Sequence, residues 1–170
     1  MSFSSLQFIF IFFPIFIVLY ILTPNKHKNL ILVLASIIFY YIGVKDPLYL
    51  IMLIMSLILN YILGMVIDSS KIKKIPLVFG ILVNFGSLFI FKYFDFFSKS
   101  ISNLTNSNPI ILNLVLPLGI SFYTFQVVSY LVDVYRGKTK SENSFINFSA
   151  YALMFPKFLS GPITSDRKST

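Results

Sequence analysis

The sequence contains no cysteine, a single histidine and only six acidic residues among 170. Without a thiol there is no disulfide, no thiolate nucleophile and no cysteine-ligated metal. The histidine, His27, lies between Lys26 and Lys28 in a short basic loop. Neither a Ser-His-Asp set nor a transition-metal site can be assembled around it, and a solvated or headgroup-facing role suits it. No catalytic residue and no metal site are therefore assigned. Charge of either sign is also scarce. Lys, Arg, Asp and Glu make up 12% of the chain, against about a quarter in soluble domains. The missing polar surface is expected to face hydrocarbon, with the bilayer as solvent. Phosphate-binding glycine loops, internal repeats and low-complexity linkers are absent as well, so one membrane domain, or part of one, accounts for the whole.

What is present is apolar sequence: 56% hydrophobic residues, 20 phenylalanines and a mean hydropathy of +0.83. Six tracts stand out: Leu6–Leu22, Leu30–Gly43, Leu48–Ile67, Pro76–Phe97, Leu112–Val134 and Phe145–Leu159. None alternates apolar with polar residues as a barrel strand must, and hydrocarbon leaves only the helix to satisfy so many backbone groups. The fold class expected is an all-α polytopic transmembrane bundle. The third, fourth and fifth tracts reach the roughly 20 residues of a span. The second and sixth fall short unless they borrow flanking residues, tilt little or re-enter. The first lacks the basic start and small-residue cleavage site of a secretory signal and reads as a retained span.

The net charge of +8 does not point to nucleic acid, since the basic residues are not interleaved with aromatics. They sit in alternate loops. Lys26 and Lys28, then Lys71, Lys73 and Lys74, then Arg136, Lys138 and Lys140 follow tracts one, three and five, while the other loops hold only Lys45 and Lys99. By the positive-inside rule this places the amino terminus outside the cell membrane and the richer loops in the cytoplasm.

Polar groups inside the tracts mark where protein or water replaces lipid. Lys92 with Asp95, and Asp133 with Arg136, are three apart and read as intramembrane or helix-end ion pairs. Asn60 and Asn84 offer amides for bonding between helices. The densest stretch is "PLGISFYTFQ", residues 117–126. Pro117 and Gly119 loosen the helix start, and Ser121, Tyr123, Thr124, Gln126 and Tyr130 follow within three turns. A helix polar on several sides belongs inside a bundle, either as the wall of a water-filled path or as a buried helix packed closely through its small residues.

Around this stretch, "LPLGISFYTFQVVSYLVDVYRGK" (Leu116–Lys138) resembles the membrane-bound O-acyltransferases, in the bacterial branch that includes alginate O-acetyltransferase. The likeness extends back through "FSSLQFIFIFFPIF", "LILVLASIIFYYIG" and "NFGSLFIFKYFDFF" and forward to "FPKFLSGPI", residues 155–163. It implies a thin-centred bundle in which a cytoplasmic acyl donor, acetyl-CoA or an acyl carrier thioester, meets an external hydroxyl of a surface polysaccharide across a tunnel. Extracytoplasmic partner proteins are implied too, but no bound cofactor. Ser121, Tyr123, Thr124, Gln126 and Tyr130 would line the tunnel. The family's catalytic histidine lies beyond the Gly-Pro-Ile motif, and His27 matches no such position. Residues 1–163 are thus expected to form the amino-terminal portion of an acyltransferase domain, with 164–170 a polar tail at a truncation, and the chain alone is expected to be inactive. The alternative is a non-enzymatic membrane bundle, transporter-like or a scaffold, using Lys92, Asp95 and Gln126.

Overall fold

A computed structural model describes residues 8–44, 46–105, 108–112, 114 and 119–153, and every regular element among them is helical. Helix α1 (Phe13–Leu22) follows a single wide turn at Phe8–Phe12. Pro14 in its first turn has no N–H to return to the preceding turn, so the helix begins afresh there. Helix α2 (Lys28–Val44) is extended backwards by the tight turn Asn25–His27. Together they form a 20-residue apolar helix, Asn25–Val44, so the second tract becomes long enough to cross a membrane by recruiting its flank. The Lys28 ammonium lies 5.4 Å from the centre of the Tyr20 ring and clasps the two helices at this end.

Helix α3 (Pro47–Ser69) starts where Asp46 accepts the Leu48 N–H at 2.9 Å and Pro47 occupies the first position, which needs no donor. Its 23 residues span ~35 Å. Helix α4 (Lys74–Lys92) has 19 residues, and Asn25–Val44, α3 and α4 are the three described helices long and apolar enough to cross a membrane. Apolar side chains occupy both faces of α3: Tyr49, Leu53, Leu57 and Ile67 are buried, while Ile51, Met55, Ile58 and Ile62 are exposed. A helix hydrophobic all round is one whose outer face meets lipid. The chain is an all-α, polytopic transmembrane bundle, as its composition indicates.

Two tracts depart from their expected form. The fourth does not run to Phe97, because the chain turns at Tyr93 and Phe94–Thr105 forms a separate amphipathic helix, α5. Among the described residues of the fifth tract, Ile120–Tyr135 forms helix α6, while Leu112 and Leu114 lie outside any helix. Gly119 caps α6 in the left-handed conformation, φ 69°, which an L side chain rarely adopts. Sixteen residues make ~24 Å, short of a ~30 Å hydrocarbon core. Helix α7 (Phe145–Leu153) covers the start of the sixth tract; Pro117, the Gly-Pro-Ile stretch and the polar tail lie outside the described residues.

Helix α6 packs against α3 and α4, and α7 against α2 and α3. The core is a continuous apolar cluster around Leu57, Ile67, Val127, Leu131, Val134 and Phe148. Two glycines let backbones approach there. A Cβ on Gly80 would lie 2.8 Å from Leu131 Cδ1, and one on Gly64 would lie 2.8 Å from both Cε1 and Oη of Tyr130. The leucine methyl can rotate aside. The Tyr130 ring cannot, being held by a hydrogen bond at its hydroxyl and by the Phe148 ring 5.1 Å away. Gly64→Ala is therefore expected to destabilise the bundle by about 1–3 kcal/mol, and Gly80→Ala by clearly less. Denaturant titration of the two variants in detergent micelles checks this, and equal losses would contradict it.

Candidate functional site

A polar seam runs through the apolar core where α3, α4 and α6 meet. Asn60 and Asn84, 0% and 1% exposed, face each other across α3 and α4. Each amide donates to the other's oxygen, Asn60 Nδ2 to Asn84 Oδ1 at 3.2 Å and Asn84 Nδ2 to Asn60 Oδ1 at 2.6 Å. Their second protons go to carbonyl oxygens one turn back, Ser56 O at 2.8 Å and Gly80 O at 2.8 Å. All four amide protons are thus used, the condition under which buried amides stabilise rather than penalise a core. Ser56 Oγ continues the seam to α6, lying 2.6 Å from Tyr123 Oη.

The residues expected to wall a path are distributed unevenly along this seam. Tyr123, Thr124, Gln126 and Tyr130 are all buried, and Ser121 is half-buried. The hydroxyls of Tyr123 and Tyr130 already have protein partners, Ser56 Oγ and the N–H of Glu142 at 3.0 Å. Thr124 differs: fully buried, its Oγ1 has no hydrogen-bond partner among the described residues, and the same holds for Ser149 Oγ on α7. The Gln126 amide, on a residue 6% exposed, makes no hydrogen bond with any described residue. Thr124 and Gln126 therefore keep unspent hydrogen-bonding capacity on α6, whereas the tyrosines serve packing. That division depends on neighbouring helices and is invisible in the spacing alone.

Neither expected ion pair forms, for reasons of backbone geometry. The turn at Tyr93 breaks the helical register between Lys92 and Asp95. Lys92 Nζ instead approaches Ser121 Oγ at 3.4 Å and lies 5.3 Å from the centre of the Tyr93 ring. Asp95 Oδ1 accepts the Leu112 N–H at 2.8 Å. At the other end of α6, Gly137 adopts φ 69° and the N–H groups of Gly137 and Lys138 return to Val134 O and Asp133 O, both at 3.0 Å. This left-handed helix ending folds the chain back, so Asp133 meets Lys138 at 3.9 Å in place of Arg136. Both partners are exposed, and such a pair contributes little to stability.

The α6–α7 loop that follows is tied to α3. Asp68 Oδ2 accepts from the N–H and hydroxyl of Ser141 at 2.9 and 3.0 Å, and Tyr61 Oη donates to Asn143 O at 2.8 Å. The Tyr130 bond to Glu142 adds a third tie, so the basic loop is held against the end of the bundle. His27 is exposed in its turn, and no group of three potential metal ligands occurs among the described residues. Sequence reasoning missed Ser56, Asp68 and Ser149, because a lone serine or helix-end aspartate carries no signal until its partner is known.

The comparisons with known proteins agree with the resemblance seen around Leu116–Lys138. Over 96% of its length the chain is 36% identical to a probable alginate O-acetylase of Pseudomonas aeruginosa and 38% identical to one of Pseudomonas syringae pv. tomato. Over 95% it is 31% identical to a peptidoglycan O-acetyltransferase of Helicobacter pylori. The chain spans about a third of the length of these relatives: 32%, 33% and 36%. No family profile matches it, and no solved structure does. The likeness to alginate-type membrane O-acyltransferases thus holds along nearly the whole chain.

The amide clasp yields a test of its own. Asn60→Leu leaves the Asn84 amide half-satisfied in the core and is expected to cost about 1–3 kcal/mol, and Asn84→Leu the same. The double variant should cost less than the sum, with a coupling near the ~0.6 kcal/mol average of interhelical polar pairs or above it. A double-mutant cycle from unfolding in micelles measures it, and strict additivity would show the two amides to be independent.

Proposed function

We propose that this chain, akin to alginate-type O-acetylases along its length, forms part of the membrane wall of a machine that O-acetylates a bacterial surface polysaccharide. The observation that carries this reading is the 34 to 38% identity to five probable alginate O-acetylases over 96% of the chain. In this reading an acyl thioester, acetyl-CoA or an acyl carrier, arrives from the cytoplasm and an acceptor hydroxyl from outside. The acceptor is alginate-like or a peptidoglycan sugar, and partner proteins on the outer side deliver or receive it.

A hydroxyl attacks a thioester usefully only when a base takes its proton. In this reading none of the described residues acts as that base: His27 is exposed at the end of the bundle, and the hydroxyls of Tyr123 and Tyr130 are engaged. Their part is positional. Thr124 and Gln126 lie on α6, a buried helix shorter than the three long spans, and the Gln126 amide can both donate to and accept from a passing hydroxyl or carbonyl. The chain alone then carries no acyl transfer. The scaffold or transporter reading is less well supported, because Asp95 is engaged as a cap on Leu112.

The test is a chimera in which this chain replaces the matching third of the Pseudomonas aeruginosa enzyme in a strain lacking it. Acetyl ester content of the secreted polysaccharide should be restored. Within the chimera, Gln126→Leu should lower it about tenfold, the equivalent of one lost hydrogen bond of ~1.4 kcal/mol, and His27→Ala should leave it unchanged. A chimera that inserts normally yet leaves the polysaccharide unacetylated would refute the proposal.

The orientation implied by the basic loops has a separate check. Because the chain has no cysteine, cysteines introduced singly at Lys71 or Lys138 report without background. They should resist a membrane-impermeant maleimide in intact cells, while one at Asn103 reacts. The reverse pattern would invert the topology.

A further inference from the structure

Helix α5 has an arrangement of side chains that neither bundle packing nor a transmembrane span explains. At about 100° per residue, its twelve residues divide into three strips. Ser98, half-buried, and Ser102, buried, turn toward the rest of the protein, with Asp95 bonded to Leu112 on the same side. The remaining surface is split. Phe97, Ile101 and Leu104 form one exposed flank, 48%, 57% and 85% accessible. Lys99 and Asn103 form the other, roughly 150° away, with the exposed Phe96 ring beside them in the first turn, next to α4.

We infer that α5 lies in the plane of the membrane at the Lys92 end of α4, with the Phe97–Ile101–Leu104 flank set into the hydrocarbon boundary and Lys99 and Asn103 among headgroups. Three observations favour lipid over a protein partner. First, the apolar flank continues the lipid-facing side of a span, since the Phe97 ring sits 5.3 Å from Phe89 of α4. Phe89 itself is 42% exposed and borders an apolar hollow of about 450 Å³ over Gly86. Second, residues 108–112 beside α5 are exposed and outside any helix, and lipid-exposed irregular backbone is not tolerated deep in hydrocarbon. The segment must sit at a level where water or headgroups reach it. Third, ~18 Å of helix cannot cross a ~30 Å core, whereas a short helix apolar on one flank and polar on the other is stable at the boundary itself. The partner is therefore the bilayer surface, which α5 anchors against vertical movement of α4 and the approach to α6.

The experiment uses the cysteine-free chain in vesicles of phosphatidylcholine with phosphatidylglycerol. Nitroxide labels are placed singly through Phe97→Cys, Lys99→Cys, Ile101→Cys, Asn103→Cys and Leu104→Cys, all surface positions, and helical circular dichroism confirms that each variant is folded. Power-saturation spectra compare collision with oxygen, which concentrates in hydrocarbon, and with a water-soluble nickel chelate. The oxygen-to-nickel ratio should be severalfold higher at 97, 101 and 104 than at 99 and 103. Equal, nickel-dominated access at all five positions would place α5 in water and overturn the inference. Protection of 97, 101 and 104 from both reagents would overturn it too, by showing that protein, for instance a second copy of the chain, covers that flank.

Discussion

Hydrocarbon offers no hydrogen bonds, and this constraint organises the molecule from the backbone outward. A segment that enters the membrane must close its own main-chain bonds, which makes it a helix, and any side-chain amide it carries must find another. Asn60 and Asn84 meet the second demand for each other, and in doing so set the register of α3 against α4. The glycine at position 80 lies on the same contact, one turn before Asn84, and gives its carbonyl to the clasp. A slip of either helix would separate two amides in a medium with nothing to replace them. Apolar packing alone, being non-directional, would not forbid such a slip.

The ends of the bundle obey the opposite rule, because water or headgroups are available there and hydrogen bonds are spent on holding loops rather than on register. Asp46 caps α3, Gly137 closes α6, and Asp68, Tyr61 and Tyr130 fix the loop that follows. Tyr130 links the two regimes. Its ring fills the space that Gly64 leaves in the core, while its hydroxyl reaches a backbone N–H in the loop. Core geometry and loop position are coupled through one rigid side chain.

Much of this architecture is legible in the sequence, because lipid demands long apolar runs and the runs are there. Helix boundaries are less so. Phe94–Phe97 looks like the end of a span by hydropathy, yet the serines and Lys99 that follow at helical spacing belong with it, and a window extended past Ser98 shows the amphipathic pattern of α5. The late start of α6 is foreshadowed by Gly119, a residue suited to the left-handed cap it adopts. Ion pairs drawn from i, i+3 spacing fail where the helix does not continue: Tyr93 interrupts one, and Gly137 redirects the other toward Lys138. The burial of Tyr123, Gln126 and Tyr130 follows from their polarity amid apolar neighbours. Which of them is already bonded does not, since Ser56 lies 67 residues away in the chain.

The brevity of α6 carries an electrical consequence. A resting membrane holds its voltage across the insulating layer, and where water reaches both ends of a helix of ~24 Å, that voltage falls over about four-fifths of the usual ~30 Å. The field along α6 is then steeper by roughly a quarter than along the neighbouring spans. Any charge or strong dipole drawn beside it then feels the cell's polarisation more sharply than one beside α3 or α4.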